Sequence, residues 1–94
     1  MGQYYWSGEK NKKLIQERQI SFEEIVLHIE EGYVLAESHG KGKHKNQTHL
    51  IIEVNQYAYI VPIIESKEGI FLKTIIPSRK MTAKYLKGGE NNAT

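Results

Sequence analysis

The residues best suited to chemistry in this chain are cations, and they are unevenly spread. Between positions 70 and 89 stand Lys73, Arg79, Lys80, Lys84 and Lys87 without one acid. A second acid-free stretch, 38–52, holds Lys41, Lys43 and Lys45 among His39, His44 and His49. Glu23, Glu24, Glu30, Glu31 and Glu37 crowd a separate region. The net charge is only +2, so the segregation carries the signal: clustered cations make a footprint for an anion such as a phosphate backbone. Arg79 suits that partner best, because a guanidinium stays charged and grips two phosphate oxygens at once. The competing reading is a surface arginine paired with a glutamate. Lys73 fits phosphate as an ammonium, or acts as a base where neighbouring cations depress its pKa; a lysine laid along an apolar sheet is the alternative.

The other polar candidates divide in the same way. Lys80 and Lys84 read as a solvated helix face that also suits phosphate. Tyr85 is a general acid or a core aromatic packed with Met81 at i and i+4. Lys41, Lys43 and Lys45 alternate as contacts to a nucleic-acid backbone do, with a partnerless linker as the alternative. The histidines at 39, 44 and 49 recur every five residues and invite zinc. However, no carboxylate or thiolate lies among them and no His-x-x-x-His turn is present, so no metal or cofactor is expected. His49 is the better acid or base, since histidine ordinarily titrates near neutrality, whereas His28 sits beside an apolar helix stripe in a structural position. With no cysteine in the chain, a thiol nucleophile and a disulfide framework are both excluded.

Ninety-four residues predict a single domain over 1–87 with a disordered tail over 88–94, because a chain this short buries only about 60–65% of its unfolded surface. One layer of helices on one sheet is the limit. No apolar run approaches the roughly 20 residues of a membrane span, and a cytoplasmic location is expected by default. Tyr4, Tyr5 and Trp6 read as a short strand or aromatic anchor, and Ser7 caps a polar helix over 8–18 that buries Leu14 and Ile15. Ser21-Phe22-Glu23-Glu24 is a capping box; Phe22, Ile25, Val26 and Ile29 form the stripe of a second helix ending at Gly32. A strand over 33–36 and a loop from Ser38 onward follow. Strands over 49–54, 57–64 and 70–76 then make an antiparallel meander, with a tight turn at Asn55-Gln56. Pro62 argues for an edge position or a bulge. One face, with Leu50, Ile52 and Val54, packs on the helices. The other mixes Ile51, Phe71 and Ile75 with Glu53 and Lys73. Pro77-Ser78 starts a short last helix whose N-terminus, beside Arg79, adds a dipole and free amides as an anion site.

Three segments carry a family resemblance. Trp6-Ser7-Gly8-Glu9-Lys10-Asn11, followed by Ile20-Ser21-Phe22-Glu23-Glu24-Ile25, is similar to the opening of BrnT-type toxins of the RelE superfamily. Those have a Trp-Asp start, a lysine-rich first helix and a Phe-Glu-Glu second helix. Ile75-Ile76-Pro77-Ser78-Arg79-Lys80 resembles that family's Ile-Ile-Ser-Ala-Arg-Lys. The segments cover somewhat under half of the chain. Between the first two helices the family carries Lys-His-Gly where this chain has Glu17-Arg18-Gln19, so a role resting on that histidine does not transfer. Arginines that many members place at the start of the meander are replaced by Asn46-Gln47-Thr48-His49. The resemblance implies an α+β, RelE-like fold of helices on an antiparallel sheet. It also implies a metal-independent ribonuclease toxin that inhibits translation and is neutralised by a cognate antitoxin covering the exposed sheet face, in a higher-order complex if several copies assemble. A catalytically inactive module of the same fold, holding RNA or a protein, is the alternative.

Overall fold

The helical half of the chain follows from its caps. In the computed structural model, which describes residues 3–39 and 47–87, Ser7 Oγ accepts from Lys10 N at the start of α1 (Gly8–Arg18). That satisfies one of the donors a helix start leaves unpaired. Ser21 Oγ accepts from Glu24 N in the same way to open α2 (Phe22–Glu30). The chain leaves α2 through Gly32 at φ 91°, with Gly32 N on Ile29 O and Tyr33 N on His28 O. These are the paired bonds of a Schellman stop, which glycine enters without strain. Asn11 ties the two helices together. It is buried, its Oδ1 accepts from Phe22 N and its Nδ2 donates to Glu23 Oε1, both at 2.8 Å. Leu14 is buried as expected, but Ile15 is 46% exposed and Asn11 takes its place inside.

Six strands form one mixed sheet: β1 (Tyr4–Tyr5), β2 (Val34–His39), β3 (Gln47–Val54), β4 (Tyr57–Ser66), β5 (Gly69–Leu72) and β6 (Ile76–Pro77). Their order is β1-β5-β4-β3-β2, with β6 also on β4. The meander is antiparallel, but β1 adds to β5 in parallel, so the sheet is not purely antiparallel. Asn55 and Gln56 both take positive φ, 54° and 66°, the type I′ geometry that matches strand twist in a two-residue hairpin. Ser38 and His39, expected in a loop, instead extend β2 and pair with His49 and Thr48. Residues 40–46, with Lys41, Lys43, His44 and Lys45, lie outside the described residues, as does the expected tail over 88–94.

The helix-facing side of the sheet is apolar as the alternation predicts. Leu50, Ile52, Val54, Val61, Ile63 and Leu72 pack against Leu14, Ile20, Phe22 and Ile25, the sort of contiguous burial that dominates small-domain stability. The strand expected over 70–76 is broken. Its register against β4 advances by one residue between Ile63↔Leu72 and Ile60↔Ile76, so residues 73–75 contain a bulge. Pro62 explains its position. The proline lies in a central strand, not at an edge; its carbonyl accepts from Lys73 N at 2.9 Å. Having no N–H, it leaves the facing strand one donor short at that point. The extra residue reverses the alternation downstream. Ile75, expected on the mixed face, is fully buried in the helix-side core, and Ile76 pairs with Ile60 and is 41% exposed.

The last helix, α3 (Arg79–Thr82), is one turn long and runs into a π-helical turn, Ala83–Lys87. It is anchored to β4 at both of Ala58's backbone groups. Ser78 N donates to Ala58 O, and Thr82 Oγ1 accepts from Ala58 N while donating to Ser78 O. Those bonds cover the stretch of β4 that neither β5 nor β6 reaches.

Candidate functional site

Cross-strand register decides which side chains meet on the sheet face away from α1 and α2. One row runs Ser38–His49–Pro62, and the next runs Gln47–Ile64–Phe71–Tyr5 across four strands. Lys73 joins the first row through its backbone bond to Pro62. Its ammonium donates to Gln47 Oε1 at 3.1 Å, and Gln47 Nε2 lies 2.9 Å from His49 Nε2. Lysine can only donate, so Gln47 must present its oxygen to Lys73 and its NH₂ to the imidazole. His49 Nε2 is then the acceptor, and the proton of the neutral ring sits on Nδ1. Lys73 and His49, the two residues expected to move a proton, are thus brought together by a glutamine that no motif pointed to. A polar residue two positions before His49 on an alternating strand was the available signal, since i and i+2 share a face. Beside this chain, the Tyr5 and Phe71 rings lie 5.2 Å apart at 51°, and Tyr5 is 41% exposed.

Arg79 stands elsewhere. Its helix is tied to Ala58, whereas Lys73 is tied to Pro62. Those points are four residues apart on β4, or about 13 Å at a rise of about 3.3 Å per residue. Arg79, Lys80 and Lys84 are all exposed. The expected anion site at the helix N-terminus is weaker than the sequence implies. With one α-helical turn there is little aligned dipole, and Met81 N and Thr82 N are already bonded to Ser78. Tyr85 is not the core aromatic that its spacing from Met81 predicts. The π turn breaks the i, i+4 relation, leaving Tyr85 38% exposed with Lys84 Nζ 5.3 Å from its ring centroid, a cation–π contact.

Comparison of the chain with protein-family models, curated proteins and solved structures returns no match in any of the three.

The remaining histidines separate by position. His28 Nδ1 lies 2.7 Å from Glu24 O and its ring packs on Tyr33, a structural role as its place on α2 suggests. His39 pairs with Thr48, so it projects to the face opposite His49; one ion cannot bridge the two. Among the described residues, no three His, Cys, Asp or Glu side chains converge on a common point. Arg18, within the segment that departs from the family pattern, donates to Ile75 O at 2.6 Å. It holds the bulge against α1. No helix among the described residues is long and apolar enough to cross a membrane.

Proposed function

We propose that the sheet face away from α1 and α2 binds single-stranded RNA and cleaves it without a metal, in a fold related to the BrnT-type toxins. The observation that carries this reading is the chain Lys73–Gln47–His49 on a face that also bears the Tyr5–Phe71 pair. In such a reaction the ribose 2′-OH attacks the adjacent phosphorus, its proton passes to a base, the P–O5′ bond breaks, and the departing 5′-oxygen takes a proton from solvent water. His49, neutral with Nε2 as acceptor, supplies the base once the substrate hydroxyl displaces the Gln47 amide. Lys73 stabilises charge on the phosphorane, where preorganised donors contribute most. Arg79, Lys80 and Lys84 hold flanking phosphates, and aromatic rings stack an unpaired base. An antitoxin would cover the same face, on which Tyr5 and Ile76 are exposed.

The separation of Arg79 from His49 favours a second reading, in which this face binds RNA without cutting it. One assay separates the two. Purified protein is incubated with RNA in excess chelator; cleavage leaving 2′,3′-cyclic phosphate ends is expected, and His49→Ala is expected to lower it by about 10²–10⁴. Loss of cleavage in chelator with recovery on adding a divalent ion would overturn the metal-free mechanism. Retained RNA binding with no cleavage would favour the second reading.

A further inference from the structure

A groove between β1 and α2 borders the proposed RNA face at Tyr5, and its other lining residues take no part in the chemistry described so far. Its volume is about 760 Å³; Tyr4, Tyr5, Trp6 and Val26 line it, with Glu30 and Glu68 also on its wall. Its aromatic side is held by β5 and α2. Tyr4 and Tyr5 pair with Ile70 and Phe71, and Ile70 N donates to Gln3 O at 2.7 Å. Trp6 stacks on the fully buried Phe22, with centroids 5.6 Å apart and planes 26° apart. The charged residues of the lining are both carboxylates, in a chain whose net charge is +2. Of the two, Glu30 acts on Tyr4. The Tyr4 hydroxyl is raised above its ordinary pKa first by burial, then by Glu30 and Glu65.

Aromatic rings present a negative face, and carboxylates beside them add full charge, so the groove suits a cation on an apolar stem. β1 pairs on one side only, which leaves room for an extended main chain to lie along it. We infer that this groove receives an arginine side chain from an extended basic segment of a partner protein. The guanidinium meets Glu30 and Glu68 while its methylenes and plane rest on Tyr4 and Trp6.

Trp6 is the chain's sole tryptophan, so its fluorescence reports occupancy directly. The probe is a tetra-arginine peptide with blocked ends, compared with the tetra-citrulline peptide of the same shape and no charge. A saturable change in Trp6 emission is expected with arginine and not with citrulline. In Glu30→Gln/Glu68→Gln the affinity should fall by about two- to thirtyfold, the product of two exposed ion pairs, while the melting curve stays in place. No response to tetra-arginine, an equal response to tetra-citrulline, or unchanged affinity in the double variant would each overturn the site. So would a Trp6 response to oligouridylate in place of the peptide.

Discussion

Gln47 carries no charge, yet its amide determines which nitrogen of His49 holds the proton, because Lys73 can bond only to its oxygen. Types and positions of the cations were readable from the chain; which of them meet was not. Arg79 illustrates the difference. A guanidinium near a strand-to-helix junction looks like the group that stabilises a transition state, but its anchor on Ala58 places it along β4 from the Lys73–His49 pair. Arg79→Ala is therefore expected to raise KM about tenfold, roughly the loss of one charge-assisted hydrogen bond, and to leave kcat within a few-fold. Its exposed position implies a stability change of no more than about 0.5–1 kcal/mol. Steady-state kinetics decide: a kcat loss of about 10²–10³ would put Arg79 on the scissile phosphate instead.

At the scale of elements, two junctions should be sensitive to substitution. Gly69 closes the β4–β5 turn at φ 137°, and a Cβ there would overlap Gln3 O. Gly69→Ala should destabilise by at least about 1–3 kcal/mol from the backbone conformation alone, lowering the melting temperature by about 4–8 °C per kcal/mol in a domain of this size. An unchanged melting temperature would mean that the β4–β5 turn takes another conformation and β1 shifts with it at little cost. Thr82 is the other junction. Thr82→Val keeps the shape but strands the Ala58 N–H at a buried position, a loss of about 1–3 kcal/mol. Hydrogen exchange should then be fastest at Ala58 and through α3, and full protection there would show that another group bonds Ala58. Caps and hairpin turns were legible in the sequence because each is written in three or four consecutive residues. The bulge over 73–75 was only half legible. Pro62 announced an irregularity, but its partner strand carried it, more than ten residues away in the chain.

Across the whole molecule, two tyrosines on the helix side couple stability to pH. Burial, followed by nearby Glu30 and Glu65 for Tyr4 and by Glu24 and Tyr57 for Tyr59, raises both above the ordinary value of 10.0. A raised pKa means that the folded state holds its proton longer than the unfolded chain. Their contribution is fully present below pH 10.0 and is lost as pH rises through the folded values. Urea midpoints should therefore drop between about pH 9 and about pH 11, and Tyr4→Phe/Tyr59→Phe should flatten that drop. An identical slope in the double variant would assign the effect to other groups. The distribution of apolar surface also changes at this scale. Ile51 and Ile75 looked available to a partner, but Ile51 is 6% exposed and Ile75 is fully buried. Tyr5 and Ile76 are the larger apolar exposures on that face, so the proposed protein partner is expected nearer the β1 edge and β6 than the pattern of alternation suggested.

The sequence by itself determined the α+β class, both long helices with their caps, the Asn55-Gln56 hairpin and the apolar face that packs on the helices. These rest on periodicity and capping chemistry, which act within a few residues of one another. Tertiary structure alone decided that Tyr4-Tyr5 pairs in parallel with β5, that Asn11 joins the helices, that Ile75 turns inward and that Gln47 links Lys73 to His49. Each depends on partners brought together from distant parts of the chain. Strand order and register choose those partners, and a single extra residue in one strand moves every later side chain to the other face.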